Sequence, residues 1–156
     1  ADDADECLPV RQWSAADATF HGVESELRLA LPAGFELALF GDYVRGQFDG
    51  GSSVPRIPPG RFGAELAWGG GGWELSTRLA RVLEQDRTGG GVASVDGYLA
   101  LSAQAEHGFD AGASQWTVFL RGENLLDEEV RNASSLLRDI APEPGLNLEA
   151  GVRLSF

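Results

Sequence analysis

The chain reads as an all-β protein, an antiparallel up-and-down β-barrel that spans a membrane. Three observations lead there. Seven segments alternate apolar and polar residues with a period of two, which puts one greasy and one wet face on each strand. The connections between them alternate short and long, as membrane barrels do with their short periplasmic turns and longer outer loops. The last ten residues, Asn147 to Phe156, keep the alternation without a slip and stop on an aromatic ring.

The alternation defines segments 14–31, 35–48, 61–68, 73–85, 94–106, 115–126 and 147–156. In the first, Val23, Leu27 and Leu29 share a phase, against Glu24, Glu26 and Arg28. The second sets Phe35, Leu37, Leu39 and Tyr43 against Glu36 and Asp42. Phe62, Leu66 and Trp68 oppose Arg61 and Glu65 in the third. Trp73, Leu75 and Leu79 oppose Glu74 and Arg78 in the fourth, whose phase falters near Arg81 and Val82, a sign of a bulge or of emergence from lipid. Val95, Leu99 and Leu101 oppose Asp96, Tyr98 and Gln104 in the fifth. Trp116, Val118 and Leu120 oppose Gln115 and Arg121 in the sixth. The last sets Leu148, Ala150, Val152, Leu154 and Phe156 against Glu149 and Arg153. Such charges are expensive facing lipid but can pair across strands in a wet lumen.

Short turns are expected at Pro32-Ala33-Gly34 and Gly69 to Gly72, and a middling one at 107–114 that includes His107. Longer loops are expected at 49–60, 86–93 and 127–146. Phe35, Trp68, Trp73 and Phe156 fall at the short-turn end, where an interfacial aromatic girdle belongs. Seven strands do not close neatly, because single-chain bacterial barrels have even strand numbers. The expectation is therefore the C-terminal segment of a larger barrel. A complete small barrel with an eighth strand, acting as adhesin or pore, and a soluble β-sandwich binding module stay open as alternatives.

Composition narrows the function. The net charge is −12, from 24 acidic and 12 basic residues. All the basic residues are arginine, and lysine and methionine are absent. Nucleic acid is excluded as a partner, since it requires a cationic footprint. No run of about 18 apolar residues occurs, so there is no transmembrane helix, which says nothing against a barrel. The acidic N-terminus resembles neither a signal nor a transit peptide. No catalytic constellation is present: His21 and His107 fall at opposite heights of the barrel and form no shared site. Asp2, Asp3, Asp5, Glu6 and Cys7 are the candidate metal ligands, carboxylates and one thiolate that suit a divalent cation such as zinc. Cys7 is the single cysteine and can form no disulfide within the chain. Asn132-Ala133-Ser134 matches a glycosylation acceptor, without meaning in a bacterial barrel.

Four stretches resemble one family. Val54-Pro55-Arg56-Ile57-Pro58-Pro59-Gly60-Arg61-Phe62-Gly63 is similar to the PRIPP-x-R-x-G loop-into-strand motif of TonB-dependent outer-membrane receptors. Gly122 to Asn132 resembles their NLL-[DN]-x-E segment, and Ser134 to Gly145 their S-x-L-K-D-x-A-P-x-P-G-R loop. Ala15 to Glu24 resembles their A-x-F-x-G-x-E strand. One departure is Leu146, which stands where the family has arginine. The resemblance points to the branch associated with zinc uptake. It implies a bacterial outer-membrane location, contact with outer-membrane lipid, and energy-coupled uptake of a metal ion or metal chelate. It also implies a link to the TonB complex through a plug domain that residues 1–156 do not include, and assembly by the barrel-assembly machinery through terminal Phe156. Pro55, Pro58 and Pro59 fix an extended loop before the strand, and Asn124 can satisfy loose backbone groups as the chain leaves the sheet.

Overall fold

A computed structural model describes residues 15–90 and 93–156. They form one seven-stranded antiparallel sheet in sequence order. The strands are β1 (Ala18–Ala30), β2 (Phe35–Phe48), β3 (Arg61–Gly70), β4 (Trp73–Val82), β5 (Tyr98–Ala111), β6 (Ser114–Glu123) and β7 (Asn147–Ser155). Among the described residues β1 and β7 do not pair, so the sheet keeps two edges. A single sheet overturns the β-sandwich alternative, which needs two packed layers. No helix among the described residues is long and apolar enough to cross a membrane.

Every strand pair keeps an unbroken one-to-one register. The bulge considered near Arg81 is therefore absent. Arg81 sits directly across from Phe62 and Leu99, still on the apolar face. The pattern falters there because the chemistry changes at the end of the strand, not because the pleat slips.

Register turns the one-strand alternation into two continuous surfaces. Leu27, Leu39, Ala64, Leu79 and Leu101 lie side by side across five strands. On the opposite face Arg28, Ala38, Glu65, Arg78 and Ser102 form a parallel row. The apolar face is open: Val23, Leu27, Phe62 and Leu120 are more than half exposed, and no large side chain among the described residues is fully buried. A wall one residue thick has no core on that side, so its apolar surface is left without a second layer among the described residues.

The turns explain the hairpins. β3 and β4 meet through Gly71 and Gly72, with φ of 59° and 82°. Positive φ at both central positions is the primed turn whose twist matches that of the strands. β5 and β6 meet through Gly112 and Ala113, of which only Gly112 has positive φ, at 67°. The third turn is thus two residues long, not the eight expected over 107–114. His107 correspondingly lies within β5, not in a turn. β1 returns to β2 through a short 3₁₀ turn, Pro32–Gly34, closed by Leu31 N–H donating to Phe35 O at 2.8 Å.

Small buried clusters sit among the long loops instead. Val82, Val95, Val130 and Ala133 are buried there, with Gln85, Thr88 and Arg138. Val95, expected in the fifth strand, belongs to this layer. Its N–H donates to Gln85 O and its O accepts from Gln85 N–H, a bridge outside the strands.

Candidate functional site: the lumen wall and its loop-covered mouth

The polar face carries its charges in pairs. Arg61 Nε donates to Asp42 Oδ1 at 2.6 Å, and Arg78 Nη1 to Glu65 Oε2 at 3.0 Å. Both pairs join directly opposed residues on adjacent strands. Arg28 bonds Glu26 along its own strand and Glu36 across the turn at 3.2 Å. Arg121 donates to Gln104 Oε1 at 3.1 Å and lies 3.9 Å from Glu149. These side chains are partly exposed, so each pair contributes about 0–1 kcal/mol. Arg153, on the same face of β7, makes no ion pair among the described residues.

Three phenylalanines break the polar phase. Phe20, Phe40 and Phe119 lie opposite Gly46, Gly63 and Gly151. A Cβ at these glycines would fall 2.6, 2.6 and 2.5 Å from the facing ring. Each ring thus covers the bare backbone across from it, the aromatic rescue of a strand glycine. The Phe40 ring also carries the Arg78 guanidinium 3.7 Å above its centroid. The alternation alone missed these residues. The coincidence of an off-phase Phe with an on-phase Gly was the available signal.

Above Arg61 and Arg78 the lumen face opens into a cavity of about 490 Å³ under the loop 124–146. Tyr98, Glu123, Asn124 and Glu143 contribute to its rim. The loop is held in place. Asn124, at φ 48°, donates through Nδ2 to Glu128 O at 2.9 Å and Pro144 O at 3.2 Å, and its Oδ1 accepts from Glu128 N–H. Asp127 Oδ1 accepts from Leu146 N–H at 2.9 Å. Arg131 donates to Arg138 O, and buried Arg138 donates to Ala93 O on the neighbouring loop at 2.9 Å. The resulting surface offers carboxylates, guanidinium groups, a phenol and amides. It can hydrogen-bond a polar ligand. Among the described residues no three His, Cys, Asp or Glu are grouped to hold a bare metal ion.

Asp2, Asp3, Asp5, Glu6 and Cys7 lie outside the described residues. His21 faces Arg45 near the loop end of β1. His107 is at the other end of the wall, stacked between Trp73 at 4.4 Å and Phe109 at 5.9 Å. The two histidines do not meet. The aromatic girdle is wider than expected, since Phe109 and Trp116 stack at 6.5 Å beside it and Phe35 packs 6.2 Å from Trp68. Trp68 Nε1 donates to Ala33 O at 2.9 Å, the polar tip of an interfacial ring meeting a turn carbonyl. Phe156 follows β7 fully exposed.

A lipid-faced, lumen-lined sheet with short turns at one end and stapled loops at the other is the wall of an outer-membrane barrel protein. Residues 2–125 match the family described as TonB dependent receptor-like, beta-barrel. The chain belongs to that family of TonB-dependent receptors. Its place is the bacterial outer membrane. Among solved structures it is similar to the copper transporter OprC, at a TM-score of 0.78 and 18% identity over 88% of this chain. The chain spans about a quarter of the length of that structure, 24%. The likeness supports the barrel fold. Zinc is not singled out by either comparison.

Proposed function

We propose that this chain is the C-terminal wall of a receptor that imports a metal ion or metal chelate with TonB-derived energy. The observation that carries the proposal is the loop-covered cavity over the paired lumen charges, in a member of a receptor family. Zinc is the favoured cargo, because the four sequence stretches resemble the zinc-uptake branch. Copper enters as the second reading through the name of the structural neighbour. Soft Cu(I) favours thiolate and thioether ligands. The chain has no methionine and one cysteine, and the cavity offers mainly oxygen donors and guanidinium groups. That chemistry suits a borderline ion or a polar chelate better than bare Cu(I).

Three partner assignments accompany this reading. A plug domain elsewhere in the receptor would couple to the TonB complex, and the hydrocarbon of the membrane would cover the apolar face. Phe156 would be the residue read by the barrel-assembly machinery. Asp2, Asp3, Asp5, Glu6 and Cys7 are proposed to collect the cation outside the cell.

The test is uptake of radioactive zinc by cells expressing the receptor, with and without a working TonB complex, and with copper in parallel. Zinc accumulation that requires both receptor and TonB supports the proposal. Copper accumulation alone replaces zinc with copper, and uptake of neither metal removes the metal assignment.

A further inference from the structure

The dipeptide Asp-Gly occurs twice in the chain, at Asp49-Gly50 and Asp96-Gly97. Asp49 follows β2 and Asp96 precedes β5, both at the loop end of the wall, and both aspartates are exposed. In this dipeptide the side-chain carboxyl can be attacked by the next backbone nitrogen. Glycine has no Cβ to obstruct the five-membered ring and leaves the backbone free to reach it. Sequence alone makes the two copies equivalent, and the structure does not.

Asp49 and Gly50 are the central residues of a turn in which Gly51 N–H donates to Phe48 O at 2.8 Å. The other bonds of the turn use its flanks. Gly51 O accepts from Gln47 Nε2 at 2.8 Å, Phe48 N–H donates to Ser52 O at 2.9 Å, and Asp49 N–H to Asp17 O at 3.2 Å. The two groups that react are free. Neither the Asp49 carboxylate nor the Gly50 N–H has a hydrogen bond or ion pair among the described residues. A Cβ built on Gly50 meets nothing within 4 Å, so the peptide between them has room to swing.

Asp96-Gly97 is clamped on both sides. Val95 before it is bridged to Gln85 in both directions, and Tyr98 after it pairs with Val82. The space beside Gly97 is filled by backbone. A Cβ there would lie 2.6 Å from Val82 O, 2.7 Å from Glu84 N and 2.9 Å from Leu83 C. Turning the Gly97 nitrogen toward the Asp96 carboxyl would displace that packed backbone.

We propose that Asp49 is a site of spontaneous covalent modification, isomerising to isoaspartate through a cyclic imide with Gly50, while Asp96 is spared. The Gly50 nitrogen bonds to Asp49 Cγ and gives up its proton, and the protonated carboxyl loses one oxygen as water. Water then opens the imide. Attack at Cγ restores aspartate. Attack at the main-chain carbonyl leaves the chain running through Cβ and Cγ of residue 49, with a free carboxylate on Cα. One water is lost and one regained, and no electrons are transferred. The product carries one extra backbone methylene inside the turn closed by Phe48 and Gly51. The outer loop 49–60 therefore exists in two covalent forms of equal mass and charge. The site lies outside the cargo path and stands whichever metal is carried.

The test is incubation of the receptor at its expressed length in detergent, beside the same protein unfolded in concentrated urea. Peptide mapping with electron-transfer fragmentation then distinguishes isoaspartate from aspartate at each site. In the folded receptor, conversion at Asp49 is expected to exceed that at Asp96 by at least about tenfold, equivalent to about 1.4 kcal/mol of added cost at the clamped site. In urea the two sites should convert at similar rates, which also sets the clock for the folded sample. Gly50→Ala, tolerated because the space beside Gly50 is open, should slow conversion at Asp49 and leave Asp96 unchanged. Equal conversion of the two sites in the folded receptor overturns the proposal. So does an unconverted Asp49 once the urea sample has isomerised, and so does a Gly50→Ala protein that converts as fast as its parent.

Discussion

On the lumen face, Arg28, Arg61, Arg78 and Arg121 each reach a carboxylate on their own or a neighbouring strand, and of the lumen arginines on the strands Arg153 alone makes no ion pair among the described residues. On the lipid face, Arg45 and Arg81 reach none among the described residues. Both sets hang from one continuous sheet, and Arg78 and Arg81 share β4 at opposite phases, so backbone geometry does not separate them. Their surroundings do. In a wet lumen a cation can be neutralised by a fixed neighbour and water does the rest. Facing a bilayer, a cation is tolerated only near the interface. The apolar band between Leu27 and Leu101 accordingly holds no charge, while the lumen row one residue away is crowded with it.

The largest way to break this contrast is to put an arginine where lipid is deepest. Leu39→Arg, centred between Leu27 and Ala64, is expected to cost about 2–4 kcal/mol, read as loss of denaturant resistance in phospholipid vesicles. Ser76→Arg, half-buried on the lumen face of β4 and opposite Ala67 and Gln104, should cost clearly less. Equal losses would erase the distinction between the faces.

Next in size is the loop staple. Asn124→Ala removes hydrogen bonds to Glu128 and Pro144 and leaves alanine at positive φ. It should cost about 1–3 kcal/mol, concentrated in the loop 124–146 and visible as faster hydrogen exchange there, with the strands unchanged.

Gly151→Ala sharpens the lumen side. The nearest atoms to the added methyl belong to the Phe119 ring, at 2.5 Å, so the expected cost is about 1–3 kcal/mol. In a Phe119→Ala background the cost should largely vanish, a non-additivity that a double-mutant cycle measures.

The smallest effect belongs to the lumen pairs. Arg78→Gln should change stability by less than about 1 kcal/mol, because its pair with Glu65 is partly exposed. A larger loss would mean that the wall is drier than its exposure indicates.

How much of this was legible in the sequence depends on how local each signal is. The second strand was read at its observed bounds, 35–48, because a proline-glycine turn precedes it and its alternation is clean. The fifth was displaced: 94–106 was expected and Tyr98–Ala111 is found. Val95 alternates in phase but is spent on a bridge to Gln85. His107 and Gly108 look like turn residues, yet His107 is held in the strand by stacking on Trp73. That partner comes from another strand, 34 positions earlier in the chain, where a period-two reading cannot see it. The loop 124–146 was visible as a length and a motif. Its stapling by Arg138 to Ala93 was not, since it joins two loops 45 residues apart. The outward arginines were legible only as an imperfection near Arg81.

The ordering of the sheet has a consequence for how such walls change size. Every strand is hydrogen-bonded only to its neighbours in the chain, and two of the three short turns contain only two residues. The wall is a string of hairpins in which no existing pair depends on a distant one. A gene could gain or lose a hairpin and alter the girth of the pore while every remaining register stayed intact. Diameter, in such a protein, is a matter of counting.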